Sequence, residues 1–384
     1  MPEEVAFCKR RVMSSQRPSS YPEFKHTWAR TAPTMHIDEE GVCDACRAAE
    51  QKELIDWEGR VPRLWALCDK HRRNDSSDDR LVPGSGGKDS AYQDRVPNYR
   101  YVMHSLTVTR PPIVYTDHGY ENFKNWIEVG GFDSISFKPN GRVQKLLTKL
   151  SIQNLLHPFQ TSILGQKNRG PKIAVRWGLG LIFYGENEAE CGNPLTGNST
   201  SLRDRRILTM SHIDEVSLGG VSIRELSERH NVDMADLMVC HLKWTPQESY
   251  YCAVDHTGFK ARPSRTQGTY SKYNSIDDKI DNLHYYTTYM KFGLGWASYD
   301  ASQKVRNRHL TRGAAVALVR RFDGEVPDRY LAEIMDRLET TTEESFGLCN
   351  KARSPRLWLK RGWGVEAPAL RGIACPPDVQ GREP

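Results

Sequence analysis

The fold of this 384-residue chain is decided by one stretch, R-L-V-P-G-S-G-G-K-D-S at residues 80–90. Its first four residues predict a short strand, glycines follow, and a helix is expected from Asp89. Glycines let backbone N–H groups approach a phosphate, and the start of a helix presents the positive end of its dipole to the same place. The stretch therefore predicts an anion site at the end of a strand.

Two common phosphate-binding motifs are excluded by the spacing. In a Walker A loop the first glycine would fall on Val82, and Ser or Thr rather than Asp89 would follow Lys88. A dinucleotide fingerprint starting at Gly84 would need glycine at position 89. The remaining candidate is the S-G-G-x-D-S loop of ATP pyrophosphatases, which holds the β,γ-phosphates as a leaving group while a substrate oxygen attacks the α-phosphorus.

The role expected of each loop side chain follows from its charge or its hydrogen-bonding groups. Lys88 can neutralise departing pyrophosphate, Ser85 and Ser90 can donate to phosphate oxygens, and Asp89 can orient Mg²⁺ or the loop. We count Lys88 and Asp89 as catalytic. The residues expected to bind ATP are Ser85, Gly86, Gly87, Lys88, Asp89 and Ser90. The alternative is a glycine turn without a ligand, capped by Asp89 or Ser90 where the helix starts.

Further apolar or β-branched runs predict the rest of the core. Strands are expected at 105–109, 113–115, 134–137 and 179–184, and the whole apolar run 173–184 is interpreted as a buried strand. Helices are expected at 54–71, 223–229, 311–322 and 329–338. Strands that alternate with helices are typical of a parallel sheet, so the predicted fold class is doubly wound α/β with a helical C-terminal part.

Composition shifts divide the chain into five predicted parts. These are a Cys-rich module at 1–50, a connecting helix and linker at 51–78, a nucleotide-binding core at 79–216, a helical substrate or partner region at 217–364, and a loose tail at 365–384. The Pro, Gly and charged residues of the last part are typical of a terminal tail.

Charge and hydropathy narrow the classes of partner. Lys and Arg number 54 against 48 Asp and Glu, and this net charge of +6 is spread along the chain. Such a balance suits small anionic substrates and does not call for nucleic acid. The longest apolar stretch, 173–184, is interrupted by Arg176 and is far shorter than a membrane span. No apolar segment follows the N-terminal acidic residues, so we expect a cytoplasmic protein without a membrane partner.

Nine cysteines are too few and too unevenly spaced for a secreted disulfide framework. Only Cys8, Cys43 and Cys46 look organised, and in a cytoplasmic protein such clusters are more often metal-binding or catalytic. These three are the candidate metal ligands.

The motifs together resemble those of the N-acetyl sugar amidotransferase family, bacterial enzymes that make surface polysaccharide, including lipopolysaccharide O-antigen, and flagellar sugars. The resemblance extends from about Cys8 to Trp358. Its matching pieces are C-K-R at 8–10, G-V-C-D-A-C at 41–46, S-G-G-K-D-S at 85–90, Y-T-D-H-G-Y-E-N-F-K-N-W at 115–126, Y-G-E-N at 184–187, K-W-T-P-Q at 243–247, T-Y-S-K-Y-N-S-I-D-D-K-I-D at 269–281 and K-F-G at 291–293.

This resemblance implies an adenine-nucleotide α-hydrolase-like (ATP pyrophosphatase) fold and an ATP- and Mg²⁺-dependent ligase. The expected reaction converts the N-acyl group of an N-acetylated, nucleotide-linked sugar into an acetamidino group, with release of AMP and pyrophosphate. Adenylation makes the amide oxygen a leaving group, which ammonia then displaces. The chain shows no glutaminase nucleophile, in agreement with ammonia delivered by a separate glutaminase subunit.

The run Y-G-E-N at 184–187 is expected to add a second part of the nucleotide site. It closes an apolar run, and ligands of open α/β folds bind at the carboxyl ends of strands. We assign Glu186 a catalytic role and Gly185 and Asn187 a role in binding ATP. An ordinary Gly-Glu-Asn turn is the alternative.

The segment 269–281 is too polar to be core and too aromatic to be a plain linker. Aromatic faces stack on rings and carboxylates bind hydroxyl groups, so the segment suits a sugar or nucleotide surface. The candidate substrate residues are Tyr270, Lys272, Asn274, Asp277 and Asp278. A solvated loop with structural aromatic residues is the alternative.

The sequence departs from the family at two positions. The family pattern implies a zinc-ribbon-like site of four thiolates, whereas here Arg11 follows Cys8 at the position of the second cysteine. A fourth ligand for structural Zn²⁺ would be His26, His36, Cys68 or water. The second departure is Trp296, where relatives tend to carry arginine, a bidentate ligand of phosphate or carboxylate.

Two other functions share the same loop. A sulfur transferase would adenylate an oxygen and displace AMP with persulfide sulfur, and Cys191 is its candidate reactive cysteine. A non-catalytic nucleotide-binding subunit that supports a partner is the third possibility.

Overall fold

The computed structural model describes residues 5–17, 34–184, 217–218, 221–222, 246–353, 357–361 and 364–366. The helix predicted at 223–229 lies outside these ranges.

The core of the described chain is a parallel sheet of three strands, β1 (Arg80–Pro83), β2 (Ser105–Thr109) and β3 (Asp133–Ser136), in that order. All five residues of β2 are buried, as expected for the middle strand. Ile182 forms a parallel bridge with Leu81 on the other side of β1. Consequently β1 has a neighbour on each side, and the prediction of a parallel sheet is confirmed.

Twelve α-helices, a π-helix at Val96–Arg100 and four short strands complete the described ranges. The helices are α1 Asp44–Glu53, α2 Val61–His71, α3 Lys88–Arg95, α4 Asp117–Glu128, α5 Gly141–Leu155, α6 Gln160–Arg176, α7 Pro246–Thr257, α8 Asp281–Phe292, α9 Trp296–Arg306, α10 Arg312–Phe322, α11 Leu331–Leu338 and α12 Thr342–Lys351. Antiparallel pairs are formed by β4 (Ser217–Leu218) with β5 (Val221–Ser222) and by β6 (Leu359–Arg361) with β7 (Gly364–Glu366). Within these ranges, every helix is too short or too polar to cross a membrane.

Local signals explain where several helices begin. Thr116, Thr311 and Thr341 each accept a backbone N–H at the start of α4, α10 and α12, and so satisfy groups that would otherwise lack partners. The helices predicted at 311–322 and 329–338 are confirmed within two residues. The helix predicted at 54–71 begins later, at Val61, because a proline in its first turn favours a start there.

The strand predicted at 113–115 is wrong, and the strand predicted at 179–184 is confirmed only as a single parallel bridge at Ile182. Residues 113–115 form no ladder, and Tyr115 makes only an isolated bridge, with Asp278. The run 173–184 divides into the end of α6 and a single bridge at Ile182. Its apolar residues pack against the sheet all the same, because Ala174 and Leu179 join the cluster of Leu81, Leu106 and Val108.

Helices cover both faces of β1. Leu81 packs towards α6, while the next residue, Val82, packs with Cys68 of α2 and with Phe183. This alternation is expected for a strand buried on both sides.

The Cys-rich N-terminal segment packs against the helical C-terminal part. Cys8, Met13 and Cys43 share a buried cluster with Leu294, which precedes α9. A second cluster joins Val12 to Ala301 of α9 and to three residues of α10, namely Ala315, Val316 and Val319. Helix α1 continues across residue 50, where the sequence suggested a boundary.

Candidate nucleotide and substrate site

The glycine loop lies between β1 and α3, the strand–loop–helix context that its motif requires. Pro83 ends the strand and α3 begins at Lys88, one residue earlier than predicted. The Gly84 N–H donates to the Val108 carbonyl (3.0 Å), and the Ser85 N–H donates to Ser90 Oγ (3.1 Å). These bonds hold the loop at the carboxyl end of the sheet, beside the first turn of a helix.

The loop glycines meet different surroundings. Gly86 has φ +81°, and a Cβ there would lie 2.5 Å from the Cα atom of Phe123 in α4. Gly87 has φ −71°, and its Cβ would have Ser85 Oγ as nearest neighbour, at 3.7 Å. Gly86 is therefore required by the fold, whereas the space beside Gly87 is open to a ligand.

Lys88 and Asp89 form a close ion pair at the start of α3. The Lys88 ammonium lies 2.7 and 3.0 Å from the two carboxylate oxygens of Asp89. Lys88 is buried, while the Asp89 side chain is 30% exposed. The pair presents a cation beneath the loop and a carboxylate at its surface.

A buried ion pair connects the strand and the helix that flank the loop. Arg80 at the start of β1 donates to the Asp94 backbone carbonyl (2.9 Å), and the two charged groups lie 3.5 Å apart. Burial lowers the pKa of Arg80 to about 10 and raises the pKa of Asp94 to about 7. The glycine loop thus connects β1 and α3, which the contact between Arg80 and Asp94 holds together.

Asp277, one of the predicted substrate residues, lies beside this loop. Its carbonyl accepts the Thr116 N–H (3.0 Å), and Gly119 is so close that a Cβ would lie 2.3 Å from the Asp277 Cα. Burial raises the pKa of its carboxyl group, while hydrogen bonding with Ser85 and the nearby Lys88 ammonium favour the charged form. The structure therefore brings together two motifs separated by about 190 residues in sequence.

Asp278 points instead into the protein. Its carboxylate accepts backbone N–H groups of Ile113 (2.5 Å), Val114 (3.2 Å) and Ile280 (3.0 Å). Burial raises its pKa to about 7. These bonds join segment 276–280 to the chain that follows β2.

Asn274 and Tyr270 surround a second buried carboxylate, Asp300. Asp300 accepts hydrogen bonds from Asn274 Nδ2 (2.6 Å) and Thr269 Oγ1 (2.5 Å). Burial raises its pKa to about 6, opposed by these bonds and by the Lys88 and Lys304 ammonium groups. Lys304 lies 5.2 Å from the ring centroid of Tyr270. Both predicted residues thus belong to a polar layer near Lys88.

Lys272, the fifth predicted substrate residue, has an exposed side chain, and its carbonyl accepts the Arg262 N–H (2.8 Å). Sequence reasoning missed Asp300 and Lys304 altogether. The only available signal was a carboxylate between Ala297 and Ala301 on the buried face of a helix, a place where charged residues are rare.

The predicted residues Gly185, Glu186 and Asn187 lie outside the described residues, as does Cys191. The described chain leads towards the site at Tyr184. Because Ile182 pairs in parallel with Leu81, this segment reaches the carboxyl edge of the sheet beside Pro83.

The three predicted metal ligands lie together. The sulfur atoms of Cys8, Cys43 and Cys46 are all within 4.8 Å of one another and buried, and those of Cys8 and Cys46 are 3.9 Å apart. Zn–S bonds of about 2.3 Å in a tetrahedron give sulfur separations of about 3.8 Å. The three thiols could therefore hold a metal ion.

Arg11 lies against this cluster, fully buried. Its Nε donates to Cys43 Sγ (2.8 Å) and its Nη2 to Met35 Sδ (3.0 Å). Of the proposed fourth ligands, His36 is exposed and faces Asp44, and Cys68 lies in the core beneath β1. His26 lies outside the described residues. The described residues thus supply three ligands and a neighbouring cation.

Trp296, the second departure from the family pattern, belongs to an aromatic stack. Its ring lies between those of Tyr285 (4.4 Å between centroids, 17° between planes) and Tyr299 (5.4 Å, 25°). The Arg17 guanidinium covers the Tyr299 ring at 4.8 Å. Trp296, the first residue of α9, therefore packs against Tyr285 of α8 and Tyr299 of its own helix.

Comparison with known proteins identifies one region of similarity. Residues 267–368, which are 102 of the 384 residues, match the sequence model of the family described as LPS biosynthesis protein WbpG-like, C-terminal domain. No curated protein matches the chain. The matched region contains Asp277, Trp296 and Asp300, so the part of the site contributed by α8, α9 and the segment before them is similar to that family's C-terminal domain.

Proposed function

We propose that the chain is an ATP-dependent ligase of the amidotransferase type that acts on an N-acetylated, nucleotide-linked sugar. One observation is the main support: Asp277, which belongs to the region similar to LPS biosynthesis proteins, lies beside the S-G-G-K-D-S loop at the end of β1. A phosphate-binding loop and a polysaccharide-related segment thus form one site. The role proposed for this chain is in polysaccharide biosynthesis.

The proposed reaction has two steps, adenylation of the carbonyl oxygen and displacement of AMP by ammonia. The acetyl carbonyl oxygen attacks the α-phosphorus of ATP, so a C–O–P linkage forms and the bond to the β-phosphate oxygen breaks, releasing pyrophosphate. Ammonia then adds to the same carbon, the C–O bond breaks, and AMP leaves with the former carbonyl oxygen. After proton loss the product is an acetamidino group.

The residues present suit the nucleotide. Backbone N–H groups at Gly87 and in the first turn of α3 can approach the β,γ-phosphates, and Lys88 supplies a buried positive charge for the pyrophosphate. Mg²⁺ prefers oxygen ligands, and Asp89, which is partly exposed, is the carboxylate best placed to hold it. When bound, Mg²⁺ would offset negative charge on the phosphates.

We propose that the chain has the doubly wound fold of ATP pyrophosphatases. Its support is the position of β1, which has β2 on one side and Ile182 on the other. In open parallel sheets ligands bind where strand order reverses, at the carboxyl ends. The loop after β1 lies at such a point, with Glu186 proposed to join it as a catalytic residue and Gly185 and Asn187 as ATP ligands.

Ammonia is proposed to come from a separate glutaminase subunit in the cytoplasm. A structural Zn²⁺ on Cys8, Cys43 and Cys46 is proposed for the N-terminal segment, on the support of the sulfur spacing.

Oxygen transfer gives a direct test of this chemistry. Protein, Mg-ATP, ammonium and a panel of nucleotide-linked sugars labelled with ¹⁸O in the acetyl carbonyl should yield ¹⁸O-labelled AMP, together with a product about one mass unit lighter than unlabelled substrate. Lys88→Ala should lower AMP formation by about 10²–10³-fold, the effect of removing one preorganised charge-stabilising group. Mass spectrometry measures both products.

The matched control is Lys351→Ala, at an exposed lysine in the last turn of α12, which should keep wild-type activity. Formation of ADP instead of AMP, or unlabelled AMP alongside product, would refute the proposal. A requirement for a persulfide donor instead of ammonium would favour the sulfur transferase.

A further inference from the structure

Arg110 lies at the carboxyl edge of the sheet, directly after β2. Its side chain crosses α6 at Gly165, where a Cβ would lie 2.6 Å from the Arg110 Nε and 3.0 Å from the Cζ. Any larger residue at this position of α6 would force the Arg110 side chain to move. The arginine is thus held over the helix next to the site.

A second guanidinium lies one helical turn further along α6. Arg169 lies over the ring of Phe137, with its Cζ 3.3 Å from the ring centroid. Phe137 directly follows β3, and its N–H donates to the Thr109 carbonyl (2.8 Å). The guanidinium groups of Arg110 and Arg169 therefore lie beside the carboxyl ends of the neighbouring strands β2 and β3.

The charge on Arg110 is not neutralised by the described part of the chain, in which it makes no hydrogen bond or ion pair. Its pKa is lowered to about 10, mainly by burial and then by Arg169. Asp278 is the acidic group that favours its charge, but three backbone N–H groups already bind that carboxylate. Lys172 adds a cation whose pKa is lowered by burial and by Arg169 and Arg176.

This cationic cluster borders the phosphate-binding loop. A Cβ on Gly170, next to Arg169, would lie 3.0 Å from the Pro83 side chain at the end of β1. Gly84, the first residue of the loop, bonds to Val108 near the end of β2, two residues before Arg110. The cluster and the loop therefore share one edge of the sheet.

We propose that Arg110 and Arg169 form a second anion site, which binds the diphosphate of the nucleotide-linked sugar while the glycine loop binds ATP. The assignment rests on the proposed function. In an in-line displacement the attacking oxygen and the leaving pyrophosphate lie on opposite sides of the phosphorus. The sugar's own diphosphate must therefore lie outside the glycine loop, and guanidinium groups bind phosphates in bidentate fashion.

The test is a binding measurement, which is independent of turnover. The intact protein is saturated with α,β-methylene-ATP. Binding of UDP-N-acetylglucosamine, of UDP and of free N-acetylglucosamine is then measured in separate calorimetric titrations. We expect Arg110→Gln to weaken binding of the two diphosphates by about tenfold or more, as for loss of a charge-assisted hydrogen bond. Arg110→Lys should weaken it less. Binding of free N-acetylglucosamine should be the same in every variant.

The matched control is Arg142→Gln, at an exposed arginine in the first turn of α5, which should bind all ligands like wild type. Without ligand, Arg110→Gln should melt no lower than wild type, because it removes an unneutralised cation. If α,β-methylene-ATP rather than the UDP compounds binds more weakly, the site exists and its diphosphate is that of ATP. Failure of the wild-type protein to bind either UDP compound, with unchanged binding of α,β-methylene-ATP by the variants, would overturn the proposal.

Discussion

Among single residues, Arg11 shows how one buried side chain changes the surroundings of a cysteine cluster. The three cysteine sulfurs lie within 4.8 Å of one another, yet the position where the family pattern has its second cysteine holds a buried arginine that donates to Cys43. The Arg11 Nε atom lies 2.8 Å from Cys43 Sγ, so a metal ion bound to that sulfur and the guanidinium would repel each other. We therefore expect Arg11 to lower the affinity of the cluster for Zn²⁺.

Replacing Arg11 tests this effect. Arg11→Cys removes the cation and supplies a fourth thiolate, so bound zinc should rise towards one per chain. Structural zinc binding contributes on the order of 10 kcal/mol in zinc-finger peptides, so the melting temperature should rise too. Elemental analysis and thermal melting measure the two effects.

The neighbouring Arg10 offers a control, because it is exposed and pairs with Glu50. Arg10→Cys should leave zinc content and melting temperature near the wild-type values. Equal zinc in wild type and Arg11→Cys would show that the guanidinium does not hinder the metal.

At the scale of elements, the loop between β1 and α3 depends on two adjacent glycines for different reasons. Gly86 has a positive φ and touches the backbone of α4, whereas Gly87 has an ordinary φ and open space around it. The first is a requirement of folding, and the second keeps room for a ligand.

This difference predicts opposite outcomes for two alanine substitutions. Gly86→Ala should lower the free energy of unfolding by about 1–3 kcal/mol from backbone strain alone, with the contact to Phe123 adding to it. Gly87→Ala should melt like wild type but bind ATP more weakly, because its methyl group would narrow the proposed phosphate site. Denaturant unfolding and ATP titration separate the two effects. Wild-type ATP affinity in Gly87→Ala would mean that phosphates do not approach this residue.

The sequence predicted elements well where the signal is local. The strand before the glycine loop was correct at both ends, 105–109 was correct, and the third strand was shifted by one residue. The run 173–184 was misread because an apolar stretch of this length suits a buried helix as well as a strand. Here Ala174 packs on the sheet from α6.

The site was harder to predict because its two halves meet through distant contacts. The motif at 269–281 suggested a polar surface, but its position beside the loop depends on bonds such as Thr116 to Asp277. Nothing near Arg110 in the sequence shows that Gly165 makes room for it. Such juxtapositions follow from packing, which residue patterns do not encode.

At the scale of the whole molecule, buried carboxyl groups make stability depend on pH. Burial raises the pKa of Asp278 to about 7 and those of Asp300 and Asp323 to about 6. An acid whose pKa is higher in the folded state stabilises that state while protonated. Its contribution is complete below the unfolded pKa, near 4, and is lost as pH rises through the folded value.

Asp300→Asn tests this dependence, since it keeps the size of the side chain without its ionisation. A rise in pKa from 3.8 to about 6 corresponds to roughly 3 kcal/mol at most. The free energy of unfolding should therefore change less between pH 4 and pH 6 in the variant than in wild type. Urea unfolding across this interval measures the difference. Parallel curves would show that Asp300 keeps its ordinary pKa when folded.

The contact of Cys8 and Cys43 with Leu294 also sets an order of events during synthesis. Ribosomes add about 5–20 residues per second, so the cysteine-rich segment emerges roughly 10–50 s before the residue that completes its core. In that interval its thiols and apolar side chains are open to chaperones, oxidants and metal ions. The cluster can therefore meet a metal ion or an oxidant while the chain is still on the ribosome, before Leu294 packs against it.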